Sequence, residues 1–400
     1  MTEAVVITGI GLLSSLGEGI APHVEAARGA RKAVIDFESF APYPVHPLGT
    51  VELDRQIPKK SDQRQMEPWQ RIGVYAAGLA LDSAGIKGDA EAKDRLHVIV
   101  AAGGGERDHA VDGQILTGLK TAANPGVFLN ERLLGDLRPT LFLAQLSNLL
   151  AGNISIVHGV TGPSRTFMGE EQAGVDAVRV AHARIAAGQA EMLLVGGSYN
   201  AERRDMLLLF ELGGALLKGA PIPTFSRTPG QDGMVTGSVG AFLVLESAKS
   251  AMARGAKVLA RLDAVSADRV RRDDGAITRS LVKQFLGHHV EPAGLLVSAA
   301  PGLAGPAAEE SAALAAVAAG RTPVAVGDLV GHSIEAAFPV AVALAAALLS
   351  EGEAASALVT GVGHHRGEGD SPGSEGGTKA GVGRAHDDRE RSPRYGRARR

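Results

Sequence analysis

The chain has 400 residues, of which 45% are hydrophobic, 21% charged and only 4% aromatic, with a formal net charge of −3 at pH 7. That length supplies a large buried core, in two or three ordinary domains or one two-lobed fold, and the near-neutral charge excludes a global basic field for nucleic acid. Cysteine is absent, which excludes a disulfide scaffold, a thiolate metal site and covalent catalysis through sulfur.

Met1 is followed by the acidic Glu3, so the apolar run after it reads as a strand and not as an export signal. In chain order, strands are predicted at AVVIT (from Ala4), LHVIVAAG (from Leu96), EMLLVGG (from Glu191), GAFLVLE (from Gly240), GLLVSAA (from Gly294), PVAVG (from Pro323) and ALVTGVG (from Ala357). Helices are predicted from Gln70, Gly174, Ser247, Ala307 and Ala336. Short apolar runs that end in glycine and alternate with Ala-rich helical stretches predict an α/β fold with a parallel sheet covered by helices. The run from Ala336 to Leu349 contains Pro339 and is too short to span a bilayer, so it reads as a buried helix of a cytoplasmic protein. The theme runs twice, over residues 1–250 with long insertions and over residues 251–363. Residues 364–400 are Gly-, Ser- and charge-rich with little to bury, and predict a disordered polar tail.

Four stretches carry a resemblance. They are VVITGIGLLSSLGEG (from Val5), GPSRTFMGEEQAGVDAVRVAHARIAAGQAEMLLVGG (from Gly162), PTFSRTPGQDGMVTGSVGAFLVLESAKSAMARGAKVLARL (from Pro223) and VGHSIEAAFPVAVALAAALL (from Val330). In this order the chain resembles the β-ketoacyl-acyl-carrier-protein synthases of the thiolase fold. The resemblance implies a five-layered αβαβα architecture with two pseudo-symmetric halves. It also implies a dimer whose sheets continue across the interface. Members of that family condense an acyl chain held on a cysteine with malonyl-carrier-protein, releasing carbon dioxide. Two basic residues, usually a His pair, promote the decarboxylation, and a lysine supports the site.

The sequence departs from that pattern where the chemistry resides. The position of the nucleophilic cysteine is Glu171, the first catalytic His is replaced by Ala300, and the lysine by Gly327. His332 remains, and His364 stands near the place of a gatekeeping Phe. A carboxylate at a helix start is stabilised by the helix dipole, as a thiolate would be, but holds no usable thioester. Glu171 therefore reads as a capping carboxylate or a charge mimic of an occupied site. A Glu171–His332 catalytic dyad is the sharper alternative, and it lacks the usual third orienting group. His332 itself reads as a buried His hydrogen-bonded to backbone. His364 and His365 open the polar tail and show no metal-ligand spacing. No cofactor pattern is present: the glycine run in AAGGGERDHAV (from Ala101) matches neither phosphate-binding motif and reads as a strand-exit loop. The resemblance places residues 112–150 near the acyl tunnel and dimer interface, and so implies that they supply the surface that measures chain length. The single tryptophan, Trp69, packs at an interface or staples the start of a helix. Arg64, Arg71, Arg203 and Arg204 are candidates for docking an acidic carrier protein.

These readings point to a non-condensing partner subunit in fatty acid biosynthesis that shapes the acyl tunnel of an active synthase. The chain is similar in this to the chain-length factors of type II polyketide systems, and also to companion synthases associated with very-long-chain fatty acids. Acyl carrier protein and an active ketosynthase paralogue, or a second copy of the chain, are the partners so implied. The alternative is an enzyme of altered chemistry, such as a malonyl-carrier-protein decarboxylase or acyl hydrolase using Glu171 and His332. A third reading is a reading-frame change after Gly363 that deletes a closing strand and exposes a sheet edge. It leaves the upstream replacements unexplained.

Overall fold

The computed structural model describes residues 2–136, 145–288, 294–318 and 320–376. Five strands come from the first part of the chain: β1 (Val5–Ser14), β2 (His97–Ala101), β3 (Ser164–Phe167), β4 (Met192–Tyr199) and β5 (Val239–Ser247). Five more follow: β6 (Ala260–Leu262), β7 (Leu295–Ser298), β8 (Val324–Ala325), β9 (Ser356–Val362) and β10 (Glu368–Glu375). They lie on one hydrogen-bonded path, β3-β2-β4-β5-β1 continuing into β6-β10-β9-β7-β8. The second order is the first shifted by five and read from the opposite end, so one topology occurs twice about the β1–β6 contact. That contact is antiparallel, from Val5 opposite Leu262 to Ile7 opposite Ala260.

The helices repeat in the same way. In the first half α1 (Pro68–Ser83), α2 (Leu149–His158) and α3 (Glu171–Ala186) follow β1, β2 and β3, and α4 (Arg204–Leu212) lies between β4 and β5. In the second half α5 (Ala276–Gly287), α6 (Ala304–Ala315) and α7 (Ala337–Ser350) follow β6, β7 and β8. α1 and α2 cover one outer face, α5 and α6 the other, and α3 and α7 fill the space between the two halves of the sheet. This is the five-layered arrangement that the resemblance implies. No helix among the described residues is long and apolar enough to cross a membrane.

Local chemistry explains these elements. α1 opens with Pro68 at its first position and a reciprocal Glu67–Gln70 capping box, which satisfies amide groups that no helical carbonyl can reach. It lies hard against β1, where a Cβ at Gly11 would stand 1.9 Å from the Ala76 carbonyl oxygen. α7 is buried from Ala337 to Leu349, and a helix apolar on every side belongs between two sheets.

Two expectations are corrected. The sheet is mixed: β2 runs parallel to β3 and β4, and β7 to β8 and β9, but β5 is antiparallel to both β4 and β1. Strands joined by a short return, such as β9 and β10, must be antiparallel. The polar tail does not start at His364. Residues 368–375 form β10, paired with β9 from Ser356–Ser374 to Val362–Glu368 and with β6 on its other side. Its sequence, EGDSPGSE, has no apolar alternation to announce it. Backbone hydrogen bonds to two flanking strands order it instead. Glu368 and Asp370 are fully buried, and Glu368 pairs with Arg272. The closing strand is thus present, and the sheet edge that the frame-change reading expects to be exposed is covered. The remainder of the expected tail, residues 377–400, lies outside the described residues, as do residues 137–144 of the expected chain-length segment.

Candidate functional site

The turn from β3 into α3 is strained. Gly169 takes φ 127°, and Glu170, which is not glycine, takes φ 58°. Such a conformation costs about 1–3 kcal/mol and persists only where its surroundings impose it. The turn delivers Glu171 as the first residue of α3, 4% exposed. The second half delivers His332. Its backbone N–H donates to the Val235 carbonyl at 2.7 Å, and its carbonyl accepts from Gly237 N–H at 3.0 Å. Gly237 is required there, since a Cβ would lie 1.8 Å from the Val330 carbonyl oxygen. His364 sits in the turn between β9 and β10, closed by Gly363 N–H to the Gly367 carbonyl at 2.8 Å and braced by Arg272, which donates to the Gly363 carbonyl at 2.8 Å.

These three side chains meet. His332 Nε2 lies 2.8 Å from Glu171 Oε1. His364 Nδ1 lies 2.8 Å from Oε1 and 3.0 Å from Oε2, and the His364 backbone N–H reaches Oε1 at 3.3 Å. Burial acts to raise the Glu171 pKa, but the hydrogen bonds from His332 and His364 outweigh it and hold the carboxyl well below the usual carboxylate range. Burial acts to lower the His364 pKa, and the Glu171 carboxylate reverses this and raises it. The result is an ionised carboxylate clasped by two imidazoles. Phe210 of α4 meets the His364 ring edge-on at 5.7 Å.

The sequence reading is corrected at three points. The Glu171–His332 pair does have a third orienting group, His364, which is 6% exposed and belongs to the buried site. Glu171 does not cap the helix: Glu170 is the N-cap, and no side-chain capping bond is made there. The His332 ring bonds to Glu171, while only its backbone takes main-chain partners.

Ala300 and Gly327 border the same region. Ala300 is buried, and its N–H donates to the Ser298 hydroxyl oxygen at 3.0 Å. A Cβ on Gly327 would stand 3.6 Å from the Ala300 carbonyl oxygen and 4.0 Å from the His332 nitrogen, in ordinary contact. A cavity of about 180 Å³ opens beside Gly327, walled by His46, Arg227 and Asp328. Arg227 is held by the carbonyls of Ile222, Gly233 and Gly302 and stands 3.6 Å from Asp328.

Other readings resolve as follows. The carbonyls of Gly104 and Gly105 accept from Arg203, so the glycine run grips a guanidinium. Arg203 is 9% exposed and also paired with Asp205, which removes it from any docking patch. Arg64 and Arg204 remain exposed, and Arg204 lies over the Phe40 ring. Trp69 is 3% exposed in the first turn of α1. Glu170, Glu171 and His364 bring one ligand atom each within 4.8 Å of one another, the donor set among the described residues nearest to a cation site. Both Glu171 oxygens are already engaged by imidazole.

The sequence reading missed Glu335. It is 7% exposed, and burial, reinforced by the Glu171 and Glu170 charges, pushes its carboxyl up to about 7. It follows Ile334, a β-branched residue held at φ 43°. The available signal was a lone carboxylate at the head of an otherwise apolar helix.

Comparison with known proteins agrees with this geometry. Residues 2–251 match the family model described as β-ketoacyl synthase, N-terminal domain. The 3-oxoacyl-[acyl-carrier-protein] synthase 2 of Vibrio harveyi is 28% identical over 265 residues, which cover 64% of this chain and 61% of that relative. Among solved structures, the ishigamide ketosynthase/chain length factor superposes with a TM-score of 0.77 at 21% identity, covering 94% of this chain and 100% of that one. A type II PKS acyl-carrier protein in complex with its ketosynthase bound to the hexaketide gives a TM-score of 0.71 at 18% identity, covering 94% and 99%. The structural likenesses establish the thiolase-like fold.

Proposed function

The chain belongs to the β-ketoacyl synthase family, and from that premise we propose that it is a non-condensing subunit of fatty acid or polyketide synthesis, completing a dimer with an active synthase and shaping its acyl tunnel. The observation that carries this reading is the Glu171 carboxylate, 2.8 Å from each of two imidazoles at the head of α3. A carboxylate so satisfied is a poor nucleophile. An acyl group transferred to it would form a mixed anhydride, which water opens far more readily than a thioester. The imidazole N–H groups that would polarise a thioester carbonyl are spent on Glu171, and Ala300 adds no donor. Losing several members of a unit that acts together costs orders of magnitude in rate.

A surface suited to the partner role surrounds β3. Among the described residues this strand pairs with β2 alone, leaving one edge free, and an unpaired edge is a template for another chain. Met168 just after it, Ile156 of α2 and Leu208 and Leu212 of α4 are 64%, 71%, 60% and 79% exposed. Extension of the sheet across this edge would cover them. The solved ketosynthase/chain length factor and the carrier-protein complex support a ketosynthase and an acyl carrier protein as the partners.

The buried Glu171–His332–His364 cluster also favours a second reading, acid–base chemistry on a malonyl or acyl thioester. One experiment separates the two. The chain is incubated with malonyl-carrier-protein, alone and with a cysteine-bearing paralogue. Condensation or altered product length only in the mixture supports the partner role. Carbon dioxide or free acid released by the chain alone supports the altered enzyme and sinks the partner role.

A further inference from the structure

Beside the cluster, α4 and the His332–Ala337 segment enclose a cavity of about 190 Å³, roomy enough for several water-sized groups. Met206, Leu209, Phe210 and Ile334 give it an apolar wall. Glu335 and Tyr199 also line it, and neither side chain takes a hydrogen bond from another residue among the described residues. Trp69 contributes to the same wall, and its indole N–H has no partner. The three are 7%, 7% and 3% exposed. Polar groups this deeply buried are normally paired within the protein, and in this cavity the Tyr199 hydroxyl and the remaining capacity of the Glu335 carboxyl are left to what fills it.

Resting on the tunnel-shaping role above, we propose that Glu335 is a specificity-determining residue that selects an acyl chain bearing carbonyl or hydroxyl oxygens over a saturated chain of equal length. A methylene chain laid against Glu335 and Tyr199 would seal the Tyr199 hydroxyl from water with no hydrogen-bond partner and would leave the Glu335 carboxyl only its own backbone N–H. An oxygen at that depth supplies an acceptor for the Tyr199 hydroxyl and for a protonated Glu335, and a chain hydroxyl supplies a donor as well. Burial favours the neutral carboxylic acid at Glu335, a form that can donate as well as accept. A site built to hydrogen-bond a substrate oxygen rejects the analogue lacking it far more strongly than an apolar pocket rejects an added oxygen.

The chain carries its own reporter, since its one tryptophan lines this cavity. The purified protein is titrated with the N-acetylcysteamine thioesters of 5-oxohexanoate and of hexanoate, following Trp69 fluorescence. The oxygenated probe is expected to bind about tenfold or more tightly, the cost of one buried hydrogen bond left unmade. Glu335→Leu is expected to reverse the preference. Glu335→Gln, which keeps the shape and a polar tip, is expected to retain it and so reports on folding. Equal or tighter binding of hexanoate, no response to either probe, or a preference unchanged in Glu335→Leu would overturn the assignment. Association with a synthase is measured separately. A chain that associates but shows no oxygen preference loses only this inference, and one that prefers oxygen but never associates loses the partner reading.

Discussion

Replacing Glu171 by glutamine removes one charge from the centre of the site and leaves its shape. In the native protein the carboxylate accepts His332 Nε2–H and His364 Nδ1–H, both at 2.8 Å. A hydrogen bond involving a charged group contributes about 1.5–3 kcal/mol and a neutral one about 0.5–1.5. Two such contacts therefore weaken by about 2–3 kcal/mol in total. The loss depends on pH in a determined sense. The Glu171 carboxyl is depressed from 4.5, so its contribution is present above pH 4.5 and fades as pH falls through the folded value. His364 is raised from 6.5, so its contribution is complete below pH 6.5 and fades as pH rises through the folded value. The difference in unfolding free energy between the native chain and E171Q is thus expected to peak between pH 4.5 and 6.5 and to shrink on both sides. Urea unfolding of both proteins from pH 4 to pH 9 measures it. Nuclear magnetic resonance titration of His364 gives an independent check, since with the Glu171 carboxylate gone burial is opposed only by the Glu170 and Glu335 charges and the imidazole should titrate below its native value. A variant as stable as the native chain near pH 6, or a penalty that grows steadily toward pH 9, would refute the clasped-carboxylate account.

Other perturbations test other parts of the fold. Glu310 is fully buried, and burial pushes its carboxyl from 4.5 up to about 7 against hydrogen bonds from Thr360 at 2.5 Å and Ser298 at 2.7 Å. A raised carboxyl leaves stability intact below pH 4.5 and erodes it up to pH 7, here by about 3 kcal/mol, so Glu310→Gln should flatten the stability curve between pH 5 and pH 8; a slope unchanged in the variant counts against this. Ending the chain after Gly363 removes a strand whose register with β9 spans Ser356–Ser374 to Val362–Glu368. At about 1–3 kcal/mol for each buried backbone group left unpaired, that exceeds the ordinary stability of a domain, and soluble folded protein is not expected by circular dichroism. Leu208→Asp with Leu212→Asp changes exposed positions of α4. The chain should fold normally and lose about 2 kcal/mol or more of affinity for a synthase partner in a pull-down or calorimetric titration. Glu171→Cys alone should restore no measurable condensation, because Ala300 and Gly327 still supply neither imidazole nor ammonium; a clear gain in radiolabelled malonyl incorporation would contradict this.

Much of the molecule was legible in its residues. Apolar runs such as AVVIT and EMLLVGG overlap β1 and β4, and the Ala-rich stretches overlap α1, α3, α6 and α7. Burial on both faces of a strand, or all round a helix, writes itself into composition directly. The absence of cysteine, the carboxylate at Glu171 and the lack of a basic side chain at Ala300 and Gly327 were equally plain, because they state which atoms exist. β10 was invisible for the opposite reason. Its EGDSPGSE sequence gains order from backbone pairing with β9 and β6, and main-chain hydrogen bonds carry no side-chain signature.

The same distinction separates the chemistry of the site from its assembly. Sequence alone established that the chain holds no thiol and that Glu171, Ala300 and Gly327 supply neither imidazole nor ammonium. Only the tertiary structure decided that His364 turns inward beside Glu171 across 193 residues of chain, and that Glu335 faces a cavity and not solvent. A residue's identity is local, but the dielectric around it and the partners within 3 Å of it are set by elements far away in the chain, and these decide whether a carboxyl is ionised and clasped, as at Glu171, or lifted toward neutrality, as at Glu335.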